Sequence, residues 1–224
     1  MPGFVRTYGF ARTSGSVAAA TLAGLEFDLG DVAVITLAWY NTMTDAITVA
    51  DDAAGGGNVW QKVPYTFQQG SGGANPPGQQ LWWAIITKPG TSITITATFP
   101  ATAYYPAIYG CEISGANSID QSAGAQGTGA ESSGNITTTK PSTFIYGSVY
   151  DGNGASSGGG AGGGWTTIQD TYGYYLNLYQ IASSVGTFAA TSNDAGSFVF
   201  TAAIVAFFFA APPTLPAAVV CIME

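Results

Sequence analysis

From Ser92 to Phe99 apolar and polar residues alternate without exception: Ile93, Ile95, Ala97 and Phe99 on one side, Ser92, Thr94, Thr96 and Thr98 on the other. A period of two sends successive side chains to opposite faces, so this stretch predicts a half-buried antiparallel strand. "VAVITLAWY" (32–40) is apolar on both sides and predicts a central strand. The pattern expects Ile35, Leu37 and Trp39 to share one core with Ile93, Ile95 and Phe99. Further strand signals are "AITVAD", "VWQKVPYTF", "LWWAIITK", "PAIYGCEI", "NITTT", "TFIYGSVY", "TTIQDTY", "YYLNLYQIA", "GTFAATS" and "SFVFTAAIVAFFF". Clusters of Gly, Pro, Asn and Asp bound them at the spacing of a sandwich or barrel. Trp82 and Trp83 are adjacent and must point to opposite faces, which predicts at most one of them in the core. Helical periodicity is nearly absent. "SGSVAAATLAGL" has some helix propensity and reads equally as a strand. The fold class is all-β, an antiparallel β-sandwich of jelly-roll or immunoglobulin-like type.

The glycine-rich stretch "DGNGASSGGGAGGGW" (151–165) lies between strands that need the rest of the set as partners, so it reads as a loop within one domain. We expect an N-terminal arm over 1–24, a sandwich domain over 25–209 and a C-terminal arm over 210–224. The C-terminal arm carries Pro212, Pro213 and Pro216, then an uncharged β-branched run with Val219, Val220 and Ile222. Prolines cannot donate ladder hydrogen bonds and favour extended backbone. These six residues are the candidate assembly arm, which adds a strand to a neighbouring subunit. The alternative is an edge strand of the chain's own sandwich. "GFVRTYGF" in the N-terminal arm reads as a second contact.

Composition narrows the chemistry. Only 8% of the 224 residues are charged, against roughly 25% in an average globular protein. The formal net charge is −8, and the five basic residues (Arg6, Arg12, Lys62, Lys88, Lys140) are scattered. Nucleic acid needs a basic stripe and is excluded as a partner. The chain has no histidine, hence neither the commonest general base nor the commonest zinc ligand. Cys111 and Cys221 lack zinc spacing and make no disulfide framework; Cys111 reads as a small buried hydrophobe. The N-terminus lacks the continuous apolar region of a secretory signal. No apolar run reaches the roughly 18 residues of a membrane span. The expectation is a product made in the cytoplasm that contacts no membrane.

The motifs dissolve on inspection. "GASSG" (154–158) matches the nucleophile elbow in form, but there is no histidine and glycines stand where its helix should start. The same glycines lack the Lys-Ser/Thr of a phosphate loop. In "EFDLGD", Glu26 and Asp28 would share a strand face, as paired carboxylates of a glycoside hydrolase must. Asp31 falls on the other face and reads as a turn residue. Asp51, Asp52 and Asn58 could ligate calcium but read first as turn formers. The remaining candidates are aromatic. Tyr172, Tyr174, Tyr175, Trp83 and Trp165 are the candidate glycan contacts, because exposed aromatic rings stack on sugars; core packing is the competing reading.

The ordered segments "LGDVAVITLAWYN", "ITVADDAAGGGNVWQKV", "QQLWWAIITKPGTSITITATF", "AIYGCEISGANSIDQSAGAQGTG", "ESSGNITTTKPSTFIYGSVYDG" and "VGTFAATSNDAGSFVFTAAIVAFF" resemble a β-sandwich module of phage virion proteins, of minor-tail or decoration type, and of bacterial surface proteins. The resemblance spans about Leu25 to Phe209. It implies Trp60 as a structural cap on the core and Asp31 as a residue that bonds turn amides. It implies no catalytic residues; no cofactor is expected, and the lack of histidine and of a cysteine cluster leads us to expect no transition-metal site. The function it implies is a non-enzymatic bacteriophage virion protein that decorates or cements the capsid or tail surface. Such a protein would be a homo-oligomer, with a trimer the expected number, held to other virion proteins. The alternative is a carbohydrate-binding host-adhesion module whose partner is a cell-surface glycan.

Overall fold

The computed structural model describes residues 5–71, 75–151, 164–168, 175–192 and 199–209. Among them every regular element is a strand. In chain order these are β1 (Val5–Thr7), β2 (Ala11–Arg12), β3 (Ser16–Phe27), β4 (Val32–Tyr40), β5 (Thr48–Asp51), β6 (Gln61–Lys62), β7 (Gln68–Gln69) and β8 (Pro77–Ile85). There follow β9 (Gly90–Ile113), β10 (Ala116–Thr128), β11 (Ile136–Thr137), β12 (Thr143–Asp151), β13 (Thr166–Ile168), β14 (Tyr175–Ala182), β15 (Thr187–Phe188) and β16 (Val199–Phe209). The fold is the expected antiparallel β-sandwich. One nine-stranded sheet runs β1-β9-β4-β8-β6, with β2, β3 and β5 also on β9 and β7 on β8. The second sheet runs β10-β16-β12-β14-β13, and β11-β15 form a small third one.

The first sheet doubles back on itself through β9. Residues before Tyr105 pair with β3 and β5, while residues 104–113 pair with β4 and, on the other side, with β1 and β2. Between the halves lie Pro100, Pro106 and a left-handed Tyr105 (φ 48°). The sequence presented these halves as two strands, "SITITATF" and "PAIYGCEI"; the chain keeps them as one.

Doubling back gives the molecule three layers of core. Ile93, Ile95, Ala97 and Phe99 from the first half of β9 meet Leu22, Leu25 and Phe27 of β3, and Ile35, Leu37, Trp39 and Trp82 of β4 and β8. The six residues expected to share a core do so. The opposite face of the same strands, Val32, Val34, Leu81, Cys111 and Ile113, packs on Phe144, Tyr146, Val205 and Phe207 of the second sheet. The far face of that sheet, with Ile145, Leu176, Leu178 and Ile204, lies under Ile136 and Phe188 of the small sheet. A buried polar chain ties the two large sheets: Thr36 Oγ1 lies 2.8 Å from the Tyr146 hydroxyl, which donates to Asn177 Oδ1 at 2.9 Å.

Two expectations change, on the N-terminal arm and on Trp82 and Trp83, and one open reading closes. Residues 5–24 are strands of the first sheet, not an arm: Val5 pairs with Ile113, Ala11 with Ile108 and Leu22 with Ile95. Tyr8 is buried, and the Phe10 ring stacks on Tyr109 at 5.7 Å. The helix-prone 16–27 segment is a strand because β9 offers it a full-length partner, and tertiary pairing outweighs alanine's helix propensity. Trp82 and Trp83 both pack, since both faces of their sheet are covered: Trp82 in the first layer, Trp83 half-buried against Phe207 at 5.7 Å. Nothing in the sequence pattern marked β10, whose "ANSIDQSAGAQGT" lacks apolar alternation because it is an edge strand, half-buried along most of its length. The expected C-terminal arm lies outside the described residues.

Candidate functional site

The acids of "EFDLGD" sit where β3 turns into β4. Gly30 takes the left-handed conformation (φ 87°) that the turn needs, and its N–H donates to Ile86 O at 2.8 Å. The turn brings Asp28 and Asp31 over the end of β9, where Glu112 interrupts an apolar strand. One oxygen from each of these three carboxylates lies within 4.8 Å of the others. Sequence reading passed over Glu112, although an acid inside "PAIYGCEI" was the available signal. Asp31, expected to bond turn amides, turns its carboxylate into this cluster.

Arg6 of β1 neutralises the group. Its guanidinium donates to Asp28 Oδ2 at 2.7 Å and to Glu112 Oε2 at 3.2 Å, and lies 3.9 Å from Glu26. Glu112 is only 1% exposed. Its Oε1 accepts the Asp28 N–H at 2.7 Å, and the Tyr8 hydroxyl donates to Oε2 at 3.4 Å. Burial pushes Glu112 up to about 7, helped by Asp31 and Asp28 and opposed by the Asp28 N–H and Arg6. Burial, then Asp28, also raises Asp31. Burial, then Glu112, holds Tyr8 protonated and able to donate.

Three carboxylates are a donor set that a hard divalent cation accepts. Here the guanidinium supplies the positive charge, and two of the three acids already accept its hydrogen bonds. An acid near 7 beside other carboxylates is also the pattern of a general acid–base pair. The hydrogen bonds argue otherwise: both oxygens of Glu112 face protein donors, the Asp28 N–H, Arg6 and Tyr8. The cluster works as a clamp fastening β1 and the β3–β4 turn to β9.

The clamp predicts a pH dependence that the lack of histidine alone would not. Folded Glu112 keeps its proton up to about pH 7, and an unfolded one loses it near 4.5. Between these points the folded state binds more protons through Glu112, so this group's contribution to stability is full below about 4.5 and is lost as pH rises through 7. Each pH unit of that interval carries about 1.4 kcal/mol, giving a loss on the order of 3 kcal/mol. Urea unfolding from pH 4.5 to 8 should show this decline in the wild type and a shallower one in Glu112→Gln. Equal slopes would remove Glu112 as the cause.

The other candidates are structural where the structure describes them. Both oxygens of Asp51 are taken: Oδ1 by the Ala53 and Asn58 N–H groups, Oδ2 by the Asn58 side chain and by Trp60 Nε1 at 2.7 Å. Asn58 Oδ1 in turn accepts from Thr87 and Lys88. The loop closes on itself with the groups a calcium ion would use, and Trp60 caps the first core layer beside Phe27. Cys111 is a buried free thiol, raised by burial.

Of the glycan candidates, Tyr172 and Tyr174 lie outside the described residues. Tyr175 is corrected: it is 1% exposed and stacks on Tyr150 at 4.7 Å, so its face is not open to a sugar. Trp83 and Trp165 are half-buried against the second and third core layers. Two aromatics that the sequence did not single out are exposed instead, Tyr65 and Tyr105, and Arg12 lies over the Tyr105 ring at 4.9 Å. Pro212, Pro213, Pro216, Val219, Val220 and Ile222 lie outside the described residues. No family model matches the chain, and no curated protein and no solved structure matches it.

Proposed function

We propose that this chain is a non-enzymatic structural protein of a bacteriophage particle, which decorates or cements the capsid or tail surface as an oligomer. The observation that carries the reading is the clamp: the acids that come together at the β3–β4 turn are spent on holding strands, with Glu112 sealed by Arg6, Tyr8 and the Asp28 N–H. The resemblance to virion β-sandwich modules and the low charge of the chain support the same conclusion.

Particles purified from the phage that encodes the chain test it. Mass spectrometry should find the chain at a fixed copy number, and electron cryomicroscopy should place it at symmetry-related positions on the outer surface. Absence from washed particles would overturn the proposal. Deleting residues 212–224 should leave the sandwich folded, with unchanged circular dichroism, and lower the oligomer mass in light scattering. An unchanged mass would show that the tail is no assembly arm.

A further inference from the structure

Edge strands are where a sheet protein offers backbone to another chain, and β10 is the longest edge here. It spans 13 residues and, among the described residues, pairs on one side only, with β16. Natural edges are commonly protected by lysine, proline or shortness. β10 has none of these, and the two bulges that could blunt it both lie before Gln121. Its single charge, Asp120, is tied down by the N–H and hydroxyl of Thr139, both at 2.8 Å.

Its inner face is braced by the loop before β7. Ser122 donates to Pro64 O at 2.8 Å, and Gln126 accepts the Gln69 N–H at 2.7 Å. Tyr65 of the same loop is 81% exposed. Pairing with β16 shifts register near Ala116 and again near Asp120, then runs evenly from Gln121 to Thr128. The braced, regular, open stretch is therefore Gln121–Thr128.

We infer that this edge accepts residues 217–222 (Ala-Ala-Val-Val-Cys-Ile) of a second copy as an antiparallel strand. The inference rests on the assembly reading above and names the receiving surface. The segment is uncharged and free of proline, and backbone pairing would give the affinity. Reach decides between the chain's own tail and a second copy's. Phe209 ends β16 opposite Ala116, at the start of β10. To lie antiparallel within Gln121–Thr128, the six residues must begin opposite Gln126 or beyond. Gln126 pairs with Thr201, eight β16 residues from Phe209; that is about 26 Å along the sheet at ~3.3 Å per residue, with two strand spacings to cross and a reversal of direction still to make. Residues 210–216 span at most about 25 Å. The chain's own tail could follow that stretch only in the parallel sense, and every strand pair described in this protein is antiparallel. The tail therefore belongs on a neighbour.

The register places Cys221 opposite residues 122–124. Full-length acceptor chains would carry Cys221→Ser with Ser122→Cys, Ala123→Cys or, as controls, Asn117→Cys or Thr128→Cys. Each is mixed with wild-type donor and oxidised with diamide; buried Cys111 stays out of the reaction. Disulfide-linked donor–acceptor pairs should form at 122 or 123 at least tenfold above both controls, as read by peptide mass spectrometry. Four outcomes overturn the inference: no such link from folded acceptors, equal yield at all four positions, acceptor–acceptor links through β10 alone, or intrachain links in a chain keeping Cys221 beside the new cysteine. If links fail while the oligomer mass persists, assembly stands and this contact falls.

Discussion

Leu37→Ala should destabilise the protein by about 2–5 kcal/mol. Leu37 sits midway along β4, fully buried, in the layer it shares with Ile93, Ile95 and Phe99. β4 is flanked by β8 and β9, and the residues beside Leu37 in register are Gln80 and Ile108. A strand held on both sides cannot move in to fill the void, so the cavity cost adds to the lost transfer energy. Chemical denaturation of the purified variant measures it. A loss under about half a kilocalorie, the size of an ordinary surface change, would mean that Leu37 is not core.

Gly110→Ala should be at least as damaging, for the opposite reason. A Cβ at Gly110 would stand 2.1 Å from Val34 O and 2.8 Å from the Ile35 Cα. These are backbone atoms of the neighbouring central strand, which no rotamer change can clear. Overpacking commonly costs about 1–3 kcal/mol, and this position belongs at or above the top of that range. Gly9→Ala is the control: nothing lies within 4 Å of its Cβ position, and the change should stay within about 0.5 kcal/mol. If both alanines behave alike in urea unfolding, the close approach of β9 to β4 is wrong.

The strands were legible where side chains sort into faces. β4 and the first half of β9 announced themselves because one is apolar on both sides and the other alternates. β10 was illegible because an edge strand of small polar residues has no apolar face to betray it. The N-terminal strands were read as an arm because "VRT" and "AR" are too short to carry a period; their place is set by hydrogen bonds to β9. The acid cluster was half visible. Glu26, Asp28 and Asp31 are neighbours in sequence, but Glu112 and Arg6 join them only through the pairing of β1 with β9. No local pattern encodes a meeting of residues so far apart. Tyr175 misled for a related reason: a tyrosine in such a cluster looks the same in sequence whether its ring faces water or, as Tyr175 does, a tyrosine of the neighbouring strand.

The pairing of β1 with β9 has a consequence for synthesis. Arg6 finds Glu112 only after about a hundred further residues have been made, which takes about 5–20 s at ribosomal rates of ~5–20 residues per second. For that interval β1, β2 and β3 wait without the strand that will receive them. The waiting segment holds Arg6 and Arg12, two of the five basic residues in the chain, both in strands. Charges at such positions keep a nascent strand from joining a wrong partner. Arg6 thus stands where a gatekeeper charge would stand on the unfinished chain, and it pairs with Glu112 once β9 arrives.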